Sequence, residues 1–133
     1  MLTKYSKQKK GRLGQAGQAV VELALSVGLL LILLLAALDF GRAFFGYIAV
    51  VNAAREGARS GVMNYSPTAI EPAARQEIIG NNLNPDLLTV TYTWGGSGNP
   101  LVVTVSYRFN LIVTSFLPFS GLTLTASSTM MIP

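Results

Sequence analysis

The stretch AVVELALSVGLLLILLLAALDFGRAFFGYIAVVNAAREGARSGVM, Ala19 to Met63, decides the fold. Its opening part, Ala19 to Leu38, consists of apolar residues and one glycine, with Glu22 and Ser26 as the only polar interruptions. At ~1.5 Å per helical residue, such a run matches the ~30 Å hydrocarbon core of a bilayer and reads as one transmembrane helix. Beyond Leu38 the sequence stays free of proline and rich in alanine through Met63. That predicts a helix that leaves the membrane and continues as an amphipathic stalk. A helix beginning near Gln18 and ending at Met63 would be a rod of ~70 Å, less than half of it in lipid.

The whole chain agrees with a membrane reading. Half of its 133 residues are hydrophobic and only 12% are charged, which is too apolar for an ordinary soluble domain. Lys4, Lys7, Lys9, Lys10 and Arg12 all precede the apolar run, with no acid among them. From Gln18 onward, Arg42, Arg55, Arg59, Arg75 and Arg108 are outnumbered by Glu22, Asp39, Glu56, Glu71, Glu77 and Asp86. The sequence pI of 9.7 is therefore a property of the leader. A basic flank on one side only predicts a cytoplasmic N-terminus, a single pass through the cytoplasmic membrane and an extracytoplasmic C-terminal domain. Membrane lipid is the predicted partner of this region and nucleic acid is not, because an interacting basic tail needs no hydrophobic span directly behind it. The sequence has no cysteine and no histidine. Their absence removes Cys/His nucleophile pairs, Ser-His-Asp triads and the commonest zinc ligand sets, so no enzyme, cofactor or metal is expected.

Composition divides the chain into a basic leader at 1–17, the transmembrane helix at 18–38, its exported continuation at 39–64 and a small domain at 65–133. The leader shows no apolar period and reads as flexible. Asn64, Tyr65, Ser66 and Pro67 interrupt the long helix, and Ser66 followed by Pro67 is a cap and first residue for another. That second helix is expected near Thr68 to Asn82, ended by Gly80, Asn81, Asn82, Asn84 and Pro85. LTVTYTW, Leu88 to Trp94, alternates and places Leu88, Val90, Tyr92 and Trp94 on one face of a strand. GGSGNP then reads as a hairpin loop, and Val103, Val105, Tyr107, Phe109 and Leu111 form the apolar face of a second strand. A third begins near Leu122. The fold class is α+β: a long N-terminal helix, a short second helix, and a small three-stranded antiparallel sheet packed on the exported half of the long helix.

Several residues invite a functional reading. Gly17 and Gln18 stand where the basic leader meets the span, and a glycine there suits a protease that accepts extended backbone. Glu22, the fifth residue after such a cut, lies in the first turns of the apolar helix, where an ionised carboxylate is expensive and usually has a partner. The alternative is an interfacial glutamate reaching the headgroups. Asp39 and Arg42 are three apart and meet on one helical face at the outer end of the span, read first as a solvated pair and second as a switch. Ala49, Ala53, Gly57 and Gly61 recur every fourth residue and flatten one side of the helix for close backbone packing, against the domain's own sheet or against a neighbouring subunit. Arg55, Glu56 and Arg59 crowd the rest of that surface as a solvated face or as charges that set register between subunits. Asn81, Asn82, Asn84 and Asp86 are too poor in carboxylates for a calcium loop. Tyr92, Trp94, Tyr107 and Phe109 read as core rather than as a binding platform, because they fall at strand period.

The ordered set of basic leader, GQAVVEL, apolar run, DFGR and NAAREGAR resembles TadE-like proteins, pilin-like components of tight-adherence pilus systems, most strongly from Gly17 to Gly61. The resemblance implies a minor pilin or pseudopilin, cut between Gly17 and Gln18 by a membrane-embedded prepilin peptidase. Its partners would then be that peptidase, other pilin-type subunits and the pilus assembly machinery. It also implies that Glu22 aids processing or pairs with the freed amine of a neighbouring subunit. Leu23 follows this glutamate where major tight-adherence pilins carry tyrosine, which fits a minor subunit. Gly28 stands where many relatives have proline, so a kink there is not implied. An exposed N-terminal Gln18 can also cyclise and lose its amine. The competing reading keeps the leader uncut and makes the chain a single-pass anchored binding or assembly module with an extracytoplasmic β-domain. Secretion after an ordinary signal peptide fits less well, because Ala36, Ala37 and Leu38 make a poor small-x-small site.

Overall fold

The computed structural model describes residues 10–115 and 121–133, with side chains from Gly14 onward. The chain divides into two compact units, Met1–Ala37 and Leu38–Pro133. Helix α1 spans Lys10–Met63. Its end falls where expected, but it begins inside the leader rather than near Gln18. The part of the leader expected to be flexible before Lys10 lies outside the described residues. Arg12, Leu13, Gln15 and Ala16 are good helix formers, and lengthening an existing helix adds a hydrogen bond for each residue fixed. Gly14 and Gly17 alone do not stop it. Within the first unit the leucines of the apolar run are exposed to their surroundings except half-exposed Leu35, and none of the most apolar window is buried. A long, apolar N-terminal helix with no protein cover is compatible with membrane anchoring.

In the second unit, α1 runs to Met63, where Tyr65 at φ 47° turns the chain. Ser66 caps the next segment by accepting the Thr68 N–H, and a short 3-10 turn at Pro67–Ala69 leads into α2, Ile70–Gly80. Helix α2 ends at Gly80, sooner than Asn82, because Asn82 adopts φ 58°. Three strands follow: β1 at Leu88–Thr93, β2 at Pro100–Phe109 and β3 at Leu122–Met131. They form an antiparallel meander in the order β1-β2-β3, with Val90 opposite Val105 and Val105 opposite Ala126. The architecture is α+β.

Alternation along β2 puts Leu101, Val103, Val105, Tyr107 and Phe109 on the covered face. There they pack with Ala43, Ala49, Val50, Ala53, Ala54 and Ala58 of α1, and with Ile70, Ala74 and Ile78 of α2. Each fully buried Ile, Val or Leu side chain contributes ~1.5–3 kcal/mol, so this one layer is the main source of cohesion. The opposite face is a hydroxyl surface. Thr104 and Ser127 are 2.8 Å apart across β2 and β3, and Ser106 and Thr125 are 3.1 Å apart.

Two expectations about the inner face need correction. Tyr92 is 46% exposed, because cover over β1 fades from buried Leu88 through half-buried Val90. Strand β2 stops at Phe109, leaving Leu111 only half-buried after it. Trp94 packs partly against the core, while Tyr107 and Phe109 are buried in it.

Candidate functional site

Gly17, Gln18 and Glu22 lie on α1 in the first unit, all exposed. A Cβ added at Gly17 would meet nothing within 4 Å, so packing does not demand glycine there. Among the described residues, the Glu22 carboxylate has no ion-pair partner.

DFGR, Asp39 to Arg42, lies at the start of the second unit just after Leu38, and here the structure departs from a solvated pair. Asp39 is 2% exposed, although it follows the apolar run by a single residue. One of its oxygens, Oδ1, accepts from Arg42 Nη1 at 2.7 Å; the other, Oδ2, accepts from the Val113 backbone N–H at 2.7 Å. The helix spacing supplies the first contact, and the chain after β2 supplies the second. Arg42 remains 49% exposed, with its guanidinium carbon 5.2 Å from the centre of the Phe109 ring. Burial alone would raise the Asp39 carboxyl, but the backbone donors of Val113 and Ile112 and the nearby Arg42 outweigh it and hold the group below its ordinary value. The arrangement is a carboxylate clamp between α1 and the segment that leaves β2.

Farther along α1, the small residues meet parts of the same domain. Ala49 and Ala53 are buried in the core. A Cβ on Gly57 would lie 3.3 Å from the Ile70 carbonyl, and one on Gly61 would lie 2.8 Å from Ile70 Cγ1 and 2.9 Å from Leu101 Cδ2. The backbone that approaches is thus that of α2, with β2 beside it. Gly46, which the four-residue spacing did not include, faces Leu124 and Phe109 at 3.3 Å in the same sense. Asp39, Gly46 and Gly61 therefore meet Val113, Phe109 and Leu101 in turn, so β2 runs beside α1 in the opposite direction.

Arg59 binds Glu56 through two nitrogens at 2.9 and 2.7 Å, and this hydrogen bonding holds the Glu56 carboxyl below its ordinary value. Arg55 is exposed and has no ion-pair partner among the described residues. Asn84 Oδ1 accepts the Asp86 N–H, and Asn81 donates to the Glu77 carbonyl, so these polar residues are engaged in turns.

Asp39 and the small residues from Ala49 to Gly61 pack against one domain, Arg55 and Arg59 remain exposed, and the junction residues stand apart in sequence. Val113, Ile70 and Leu101 complete the packing, and only Leu101 had a sequence signal, its place on an alternating strand.

Residues 17–59 match the family model of TadE-like proteins. The match starts at the glycine before the predicted cut and includes the Asp39 and Arg42 side of the clamp, but not Val113, and most of the small-residue stripe. Comparison with curated proteins and with solved structures found no match.

Proposed function

We propose that this chain, with a TadE-like segment that marks a pilus-associated protein of a tight-adherence system, is a minor pilin or pseudopilin whose role is assembly rather than catalysis. The observation that carries the reading is the position of the match: it begins at Gly17, where a leader of five basic residues meets an uncovered apolar helix. Prepilin peptidase cleaves between Gly17 and Gln18 from the cytoplasmic side. The mature helix then leaves the bilayer and packs beside other pilin-type helices, exchanging lipid for protein contacts, with the β-domain facing outward. Glu22 assists this transfer, either during processing or by pairing with the new N-terminal amine of a neighbour. Its exposure, and the lack of an ion-pair partner among the described residues, support that role. If Gln18 cyclises, the amine is lost and only the processing role survives.

One observation favours an uncleaved, membrane-anchored module instead. The Gly17–Gln18 bond lies within α1, and a helical bond must unwind before a protease can engage it. Mass spectrometry of the N-terminal peptide, from membranes of cells with and without the peptidase, separates the two. The pilin reading expects a mature chain starting at Gln18 only when the peptidase is present, with a mass that also reveals any loss of ammonia. A chain starting at Met1 or Leu2 in both strains would sink it.

A further inference from the structure

The side of α1 turned away from the sheet stays apolar well beyond Leu38. Phe40, Phe44, Phe45, Tyr47 and Ile48 are all exposed, Phe40 at 76% and Phe45 at 73%. The two charges at this level are drawn off the face: Asp39 is buried against Val113, and Arg42 lies over Phe109. The first charge actually on the face is Arg55, two turns after Ile48 and three after Phe44 at ~3.6 residues per turn. Exposed aromatic and aliphatic residues in this number are unusual on a protein surface left in water.

We infer that this face is a lipid contact, covered by the interfacial region of the outer leaflet as a one-sided continuation of the apolar span. The inference rests on the membrane-anchored reading and adds a second contact to it. Continuity is the first reason, since Leu38 ends the apolar run, is itself exposed, and lies two turns from Phe45 on the same side. Length is the second. The segment from Leu38 to Ile48 adds ~15 Å of apolar surface on one side to a run that already matches the bilayer core. A helix with surplus apolar length tilts, and a tilted helix keeps its underside in lipid longer than its upper side. The sheet packs on the other side of this stretch of α1 and leaves the apolar face uncovered. Charge is the third reason. Arg55, exposed and without an ion-pair partner among the described residues, stands where an arginine meets lipid phosphates while its stem lies along apolar surface.

The chain has no cysteine, so single spin labels can be placed without background. The full chain is reconstituted in vesicles of phosphatidylcholine with a quarter phosphatidylglycerol, labelled at Phe44→Cys, Ile48→Cys, Leu31→Cys or Thr125→Cys. Collision rates with oxygen, which concentrates in lipid, are compared with those of a water-soluble nickel chelate. Labels at 44 and 48 are expected to favour oxygen severalfold over the label at 125, approaching the ratio at 31. A ratio at 44 and 48 equal to that at 125 would overturn the inference while leaving the anchor intact. So would shielding from both reagents that disappears on dilution of the protein in lipid, which would make a neighbouring chain the occupant. A water-like ratio at 31 would overturn the anchored reading itself, and the inference with it.

Discussion

Replacing Asp39 by alanine tests whether the clamp holds the α+β domain together. The Val113 N–H donates to a carboxylate that is 2% exposed, and its 2.7 Å length marks a charge-assisted bond. Bonds to a charged group contribute ~1.5–3 kcal/mol, and removing the acceptor strands the donor. The Arg42 arm adds less than ~1 kcal/mol, since Arg42 is half in solvent. The two together give ~2–4 kcal/mol for Asp39→Ala. At ~4–8 °C per kcal/mol for a domain of this size, the melting temperature falls by on the order of 10 °C or more. Asp39→Asn keeps one acceptor oxygen and loses about half as much; Arg42→Ala, which spares Val113, loses less than ~1 kcal/mol. The assay is near-UV circular dichroism of the full chain in detergent, following Trp94 and the buried tyrosine. Acid supplies a second arm. A carboxyl held below its ordinary value of 3.8 contributes stability that is fully present above that value and lost as pH falls through the lower, folded-state value. The wild type should therefore lose stability below pH 3.8 more steeply than Asp39→Asn. An Asp39→Ala protein within ~0.5 kcal/mol of wild type, the range of ordinary surface substitutions, would refute the clamp. So would an Arg42→Ala protein that loses as much as Asp39→Ala.

Gly61→Ala places a methyl group within 3 Å of both Ile70 and Leu101 and should destabilise by ~1–3 kcal/mol, read as a lower denaturant midpoint. Gly28→Ala meets nothing within 4 Å and should leave the domain's midpoint unchanged, while raising helicity by the ~1 kcal/mol that separates these residues. Ser66→Ala removes the cap on the Thr68 N–H and should cost ~0.5–2 kcal/mol in the same measurement. Glu22→Gln should leave the folding of the β-domain unchanged and reduce recovery of the mature chain in sheared filaments; undiminished recovery would remove Glu22 from the assembly role.

Patterning made the main elements legible. Apolar length announced the long uncovered helix, strict alternation announced β2, and the Ser66-Pro67 pair announced a helix start, because each rests on local periodicity or backbone chemistry. The clamp was only half legible. Three-residue spacing paired Asp39 with Arg42, but nothing local indicates that Val113 would arrive to bury the carboxylate. The small-residue stripe showed that a backbone would come close, without showing that α2 would be the visitor, since Ile70 reaches Gly61 through the intervening turn at Tyr65. Tyr92 misled because alternation reports which side a residue takes and says nothing of how far the cover extends. The helical start at Lys10 was missed for a similar reason: charge and glycine content argue against autonomous helix, yet residues joined to a formed helix need no nucleus of their own.

The course of β2 beside α1 has a mechanical meaning. Asp39, Gly46 and Gly61 touch the chain at Val113, Phe109 and Leu101, so the contacts are strung along the helix instead of gathered at one end. A pull applied along α1 from its Asp39 end would therefore load the joint in shear, with the polar clamp first to bear strain and the packed layer beyond it sharing the rest. Rupture under such a force would require the rows to slide past one another, and the bond nearest the source of tension would be the first to yield.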